Sequence, residues 1–275
     1  MSLTVKPLDA PLGAEIIGLD ARAIGADAAA TLREAFLKHY LLLLRGQNLE
    51  DAELVKLGEC FGAIAKSRMV SPLSGRDDIM VISNIREDGK PLGQLPDGEM
   101  AFHIDQIYRE VPCKAAALHA VEIPDAGGET MFSNNVAAYE SLPEATKKRI
   151  EGLRATHSFQ YGETLRENRT QNEDRPHFTH PLARRIPETG KRSLAVCRLM
   201  TDAIEGLDDA EGRALINELC DVLENPKNVY SHSWKVGDVL IWDNRCTSHA
   251  RTDFPSTQRR LMKRVTIKDE VGPQP

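Results

Sequence analysis

The sequence predicts a mainly β fold, a sandwich or jelly roll of short strands with peripheral helices. Short apolar runs bounded by glycine or proline recur along the chain, which is the pattern of strands and turns. Only a few stretches hold an apolar stripe of helical period. From residue 101 onward short strand-like runs alternate with turns, with a few peripheral helices among them. This pattern does not by itself separate a sandwich from a jelly roll.

The elements are expected in the following order. Residues 4–8 and 14–17 read as a strand pair across Pro11 and Gly13. Residues 27–39 form a helix with Leu32, Ala35, Phe36 and His39 on one face, and 40–45 a buried strand. Residues 49–61 form a second amphipathic helix, stopped by Gly62. Residues 66–100 hold Pro72, Gly75, Gly89, Pro91, Gly93, Pro96 and Gly98 around one strand at 79–82. Such a long excursion is the kind that forms a lid or binding loop, and 160–178 is a second candidate. Strands are expected at 115–121 and 130–133, flanking the turn Pro124-Asp125-Ala126-Gly127-Gly128. A helix follows at 144–153, a hairpin from 180–185 and 193–196, and a helix at 208–223. The last strands are 239–242 and 261–267.

At 275 residues the chain is long for one domain, yet barrels and sandwiches reach this size, and 1–275 is read as a single unit. The net charge of −6 provides no general basic field for nucleic acid or an anionic membrane. No apolar stretch is long enough for a membrane span, and the N-terminus lacks the apolar core of a signal peptide. The five cysteines are scattered, with no CxxC, which suits free thiols in the cytoplasm.

The sharpest local feature is Phe102-His103-Ile104-Asp105. On a strand, positions i and i+2 point to the same side, so His103 and Asp105 can reach one metal together. The best third ligand is His249, at the end of Trp242-Asp243-Asn244-Arg245-Cys246-Thr247-Ser248-His249. Two histidines and a carboxylate are the ligand set of non-haem Fe(II) oxygenases and leave positions open for co-substrate and O2. A lone HxD is weak, since chance pairs are common among eight histidines. The remaining six, His39, His119, His157, His177, His180 and His232, are assigned to core or surface.

Arg260 and Arg264 strengthen the reading. They share one face with Met262 at the entry to an apolar strand, where a buried guanidinium needs an anion. A metal ligand followed by such an arginine suggests a chelating dicarboxylate, with one end on the metal and the other on Arg260. An internal arginine–glutamate pair is the plainer alternative.

With these residues in place, the chain resembles the taurine dioxygenase / 2,4-dichlorophenoxyacetate dioxygenase (TauD/TfdA) family of Fe(II)/2-oxoglutarate enzymes. The likeness runs nearly end to end. It includes Leu12-Gly13-Ala14-Glu15-Ile16, the stretch 39–47, His103-Ile104-Asp105, the stretch 123–130, His180-Pro181 with Glu188-Thr189-Gly190, and 237–264. The resemblance implies a double-stranded β-helix (jelly roll, cupin-like), with Fe(II) on His103, Asp105 and His249, and 2-oxoglutarate and O2 as co-substrates. It places Thr130 and Arg260 at the distal carboxylate of 2-oxoglutarate, and Arg264 at an anionic group of the substrate. Trp242 is expected to pack beside the site. Hydroxylation of a C–H bond would accompany decarboxylation of 2-oxoglutarate to succinate and CO2. The resemblance also implies a homo-oligomer, a dimer or tetramer.

The likeness departs from the taurine pattern in the substrate region. Positions that contact taurine fall on Ser67, Val70 and Glu99, where the taurine enzyme has His, Tyr and Asn, and an aromatic lid position falls near Met200. Glu99 reads either as a contact for a cationic group or as a solvated acid. The expected substrate is therefore a small anion other than taurine. The competing readings are a metal enzyme outside oxygenase chemistry and a non-catalytic jelly-roll binding protein. The first gives Arg260 and Thr130 no purpose, and the second would be signalled by loss of a metal ligand, whereas all three are present.

Overall fold

Leu41–Leu44 is a strand of four leucines buried at every position. Such a run needs a packed layer on both faces of its sheet. The computed structural model, which describes residues 3–67, 70, 73, 75–94, 98–160, 162–169 and 174–275, supplies both layers. The large sheet has seven strands, in the order Thr4–Pro7, Ala14–Ile17, Leu41–Leu44, Val239–Asp243, Cys113–Glu122, Leu261–Lys268 and Met80–Ser83. Neighbours run antiparallel except Ala14–Ile17 and Leu41–Leu44, which are parallel.

Alternation divides these strands between two cores. Leu42, Leu44, Val239, Ile241, Val265 and Ile267 pack under helices Ala26–His39 and Asp51–Glu59, against Leu32, Phe36, Leu54 and Leu57. Leu41, Leu43, Leu118, Leu240, Trp242 and Met262 point the other way, toward Phe132 and Val136. Phe132 belongs to a second, four-stranded sheet in the order Val229–His232, Thr130–Asn134, Thr247–Arg251, Met100–His103. The two sheets therefore face each other across a core in which the Phe132 and Trp242 rings lie 5.4 Å apart. The chain is mainly β with helices on the outside, as expected.

Several boundaries differ from expectation. The second helix is Asp51–Glu59, because Glu50 and Glu53 form a reciprocal capping box that fixes its start. The helix expected at 144–153 ends at Ile150. The hairpin is Ala183–Arg185 with Arg192–Leu194. His177–Pro181 instead pairs with Arg154–Ser158, which in turn pairs with Thr201–Ile204 in a separate three-stranded sheet. Helix Asn135–Glu140 and strands Arg154–Ser158, Thr201–Ile204, Val229–His232 and Thr247–Arg251 were not foreseen. These strands carry no apolar alternation: Thr247–Arg251 is buried at every position yet mostly polar, and the other three mix buried, half-buried and exposed residues. Of the expected lids, Pro72, Pro96 and residues 170–173 lie outside the described residues. No helix among the described residues is long and apolar enough to cross a membrane.

Candidate metal and dicarboxylate site

His103 ends the edge strand of the small sheet, and His249 sits opposite it in register on the neighbouring strand. Their rings are 4.1 Å apart. The strand stops at His103, so Asp105 is not presented by regular strand alternation as the sequence pattern implies. A side chain from elsewhere fixes it: the Asn244 Oδ1 accepts the Asp105 N–H at 2.9 Å. The Asn244 amide donates to the carbonyls of Asp105 and Cys113, both at 2.9 Å. Asn244 is completely buried, and its own carbonyl is held by Arg184 Nη2 at 2.7 Å.

The three expected ligands come together. Asp105 Oδ1 is 3.8 Å from His103 Nε2, and Asp105 Oδ2 is 3.7 Å from His249 Nε2. One atom from each lies within 4.8 Å of the others, a spacing that could hold a metal ion. The His103 Nδ1 is 3.0 Å from the Ala101 carbonyl, which can only accept, so the proton sits on Nδ1 and Nε2 faces the ligand cluster. Burial pushes the His103 pKa down, and burial together with the neighbouring His103 pushes that of His249 well down. Both rings are therefore neutral, the state that binds metal. For Asp105, burial opposes the charge, but the Arg264 guanidinium outweighs it and keeps the carboxylate ionised.

Arg264 grips both oxygens of Asp105, at 3.1 and 2.6 Å. Its guanidinium also lies 5.6 Å from the centre of the Trp242 ring. Its Nε is buried and lacks a hydrogen-bond partner among the described residues. The sequence reading placed Arg264 at a substrate anion; in the structure its two terminal nitrogens pair with Asp105.

Arg260 differs sharply. It is 2 % exposed, and among the described residues no carboxylate forms an ion pair with it. Its Nε has no hydrogen-bond partner among the described residues. Burial and the nearby Arg251 push its pKa down to about 9. Arg251 and Arg260 stand over the same ring, Phe254, at 5.6 and 5.8 Å. Gly128 makes room for this arrangement: it adopts φ 71°, and a Cβ there would come 3.4 Å from Arg260 Nε. Two residues further on, Thr130 begins its strand opposite Arg251 and accepts the Trp234 indole N–H at 3.0 Å. A buried cation without an anion and, two residues along from the Gly128 that flanks it, a hydroxyl that still has a proton to give fit one carboxylate end of a dicarboxylate.

The expected substrate contacts are more dispersed. Met200 is buried in an apolar cluster with Met100, Ile104 and Leu199, behind the metal-ligand loop. Ser67 is half-buried and donates its backbone N–H to the Asp77 carbonyl. Glu99 and Val70 are exposed. A feature the sequence reading missed is the pair Tyr108–Phe159, stacked at 5.4 Å, with Tyr108 within electrostatic reach of Arg264.

Comparison with known proteins agrees with this geometry. Residues 4–266 match the family described as taurine catabolism dioxygenase TauD, TfdA family. The chain is 32% identical over 276 residues to the (S)-phenoxypropionate/alpha-ketoglutarate-dioxygenase of Sphingobium herbicidovorans, covering 94% of this chain and 92% of that one. It is 34% identical over 295 residues to pentalenolactone F synthase of Streptomyces arenae, covering 98% of each. Among solved structures it superposes with a TM-score of 0.83 on AAD-2 in complex with Mn(II) and N-oxalylglycine, at 26% identity and 99% coverage of both chains.

Proposed function

Because the chain belongs to the TauD/TfdA family and is an Fe(II)- and 2-oxoglutarate-dependent dioxygenase, we propose that it hydroxylates a C–H bond of a small organic anion, with His103, Asp105 and His249 as its iron ligands. When bound, the iron supplies the redox chemistry that couples decarboxylation of 2-oxoglutarate, to succinate and CO2, to hydroxylation. The protein supplies orientation and charge. Arg260 and Thr130 seat the distal carboxylate of 2-oxoglutarate and thereby aim its 2-oxo acid end toward the histidines. Asn244 fixes the loop that carries Asp105. The observation that carries the co-substrate assignment is the buried Arg260, which has no ion-pair partner among the described residues. A hydrolytic metal enzyme on this fold would leave that charge unexplained.

The substrate side rests on Arg264 and the aromatic pair. The free Nε–H of Arg264 offers an anion a donor, while Tyr108 and Phe159 offer an apolar body a flat surface. Met200, Ser67 and Glu99 are further candidate contacts, with Glu99 facing a cationic group if the substrate has one. The phenoxypropionate relative fits an aromatic acid on this surface. We read the facing sheets as a double-stranded β-helix, the whole of 1–275 as one domain, and 66–100 and 160–178 as loops over the site. An assembly of two or four copies and a cytoplasmic location, which suits five unpaired cysteines, complete the reading.

Anaerobic titration of Fe(II) and then 2-oxoglutarate into metal-free protein tests it. A weak visible charge-transfer band is expected, and it should be missing in Asp105→Ala and His249→Ala. A band unchanged in both variants would show the ligand assignment to be wrong. Succinate release across a panel of aryloxy acids, sulfonates and sulfate esters, each beside its neutral analogue, then reads the substrate class.

A further inference from the structure

Thr130 has one hydroxyl proton and two lone pairs, so its use as a donor depends on what else holds the oxygen. The Trp234 indole N–H points at that oxygen from 3.0 Å. We propose that Trp234 is a positioning residue for the co-substrate: by filling the acceptor side of Thr130 Oγ1, it turns the hydroxyl proton toward the distal carboxylate beside Arg260. This inference rests on the assignment of Thr130 and Arg260 to that carboxylate.

Three features support it. An indole nitrogen can only donate, so the Thr130 proton cannot point at Trp234 and must point elsewhere. A hydroxyl that accepts a hydrogen bond is polarised and becomes a better donor in a low-dielectric interior. Finally, the indole is held rigidly. Trp234 is 8% exposed, and the His232 ring meets it edge-on at 4.7 Å and 87°. His232 is itself fixed between the Tyr230 hydroxyl at 2.8 Å and the Asp238 carboxylate at 3.0 Å. Asp238 is in turn held by Arg45 at 2.6 Å and by the Lys235 N–H at 2.9 Å. His232 pairs with Thr130 in the sheet register, so this chain of contacts ends on the strand it orients.

The test uses Zn(II)-loaded protein, in which the metal is redox-inert and diamagnetic. Calorimetry compares 2-oxoglutarate with 2-oxobutyrate, which keeps the chelating end and lacks the distal carboxylate. Trp234→Phe is expected to weaken 2-oxoglutarate about tenfold, the size of one hydrogen bond to a charged group, and to leave 2-oxobutyrate and Zn(II) affinity unchanged. In a Thr130→Val background the same change is expected to cost nothing more. A Trp234→Phe protein with full 2-oxoglutarate affinity, with equal losses for both acids, or with an additive loss on top of Thr130→Val would overturn the proposal. If Thr130→Val and Arg260→Met both keep full affinity and selectivity, the carboxylate assignment itself fails. A second measurement leaves Trp234 in place. The chain has two tryptophans, so Trp242→Phe identifies the Trp234 indole N–H resonance. That resonance should move on adding 2-oxoglutarate to the Trp242→Phe protein and stay still when Thr130→Val is added. Movement in both, or in neither, would refute the link.

Discussion

Arg260 and Arg264 stand four residues apart on the same face of the same strand entry, and their surroundings could hardly differ more. Arg264 has its anion built in: Asp105, recruited from 159 positions away, takes both terminal nitrogens. Arg260 has none among the described residues, and its only cationic company is Arg251. One buried arginine is therefore part of the architecture, and the other is a socket. The distinction follows from the cost of isolated buried charge: a fold tolerates an unpaired guanidinium where a ligand will neutralise it.

The largest expected effect comes from removing the internal partner. Arg264→Met leaves the Asp105 carboxylate buried without its fork, and breaking such a pair typically costs about 3–5 kcal/mol of folding stability. Urea unfolding of metal-free protein should show that loss. Saturating Zn(II) should recover most of it, because the metal then neutralises the same carboxylate. A variant as stable as the parent without metal would mean that Arg264 contributes little to holding Asp105.

Arg260→Met should behave in the opposite way. Metal-free stability is expected to stay level or rise, since an uncompensated buried cation is replaced by an apolar chain of similar length. The loss should appear in 2-oxoglutarate affinity instead, at about 2–3 kcal/mol for truncating one partner of a buried charge pair. Calorimetry on Zn(II)-loaded protein reads it. A marked drop in metal-free stability would place Arg260 among the structural arginines.

Ligand linkage gives a smaller but independent contrast. At about 100 times its dissociation constant, a ligand that binds only the native state adds about 2.7 kcal/mol. Zn(II)-loaded wild-type protein and Arg264→Met should both gain thermal stability from 2-oxoglutarate at a fixed millimolar concentration, whereas Arg260→Met should gain almost none. Equal gains in all three would remove the difference between the two arginines.

Much of this was readable in the sequence, and the part that was not has a common cause. His103, Asp105 and His249 stand out because metal ligation restricts residue type and spacing, and Arg260 and Arg264 because charge at an apolar strand entry is conspicuous. The destination of Arg264 was hidden because its partner is remote in sequence. Asn244 was hidden for the same reason: it acts on backbone atoms 139 and 131 positions away, and no local pattern records that. The strand carrying His249, Thr247–Arg251, was missed because all five of its residues are buried while only Ala250 is apolar. Its burial derives from a side-chain network, with Asn135 Oδ1 accepting the Ser248 N–H at 3.0 Å and Thr247 Oγ1 donating to the Asp243 carbonyl at 2.8 Å. Binary patterning does not detect a strand whose core contacts are hydrogen bonds.

The smallest expected effect concerns the rings beneath the two cations. Trp242 lies under Arg264, while Phe254 lies under both Arg251 and Arg260. A cation–π contact is worth about 0.5–2 kcal/mol depending on how dry it is. At Arg264 the carboxylate fork already fixes the guanidinium, so the ring adds to an arrangement that would survive without it. At Arg260 the ring is a principal restraint on a side chain that lacks an anion until 2-oxoglutarate binds. Phe254→Leu should therefore weaken 2-oxoglutarate about three- to fivefold by letting the socket relax, a loss of about 1 kcal/mol. Trp242→Phe, which keeps a ring under Arg264, should leave that affinity nearly unchanged. Titration of 2-oxoglutarate into the two Zn(II)-loaded variants separates the cases. Equal losses in both would mean that the rings serve the site through packing alone, and that the contrast between the arginines ends at their ion pairs.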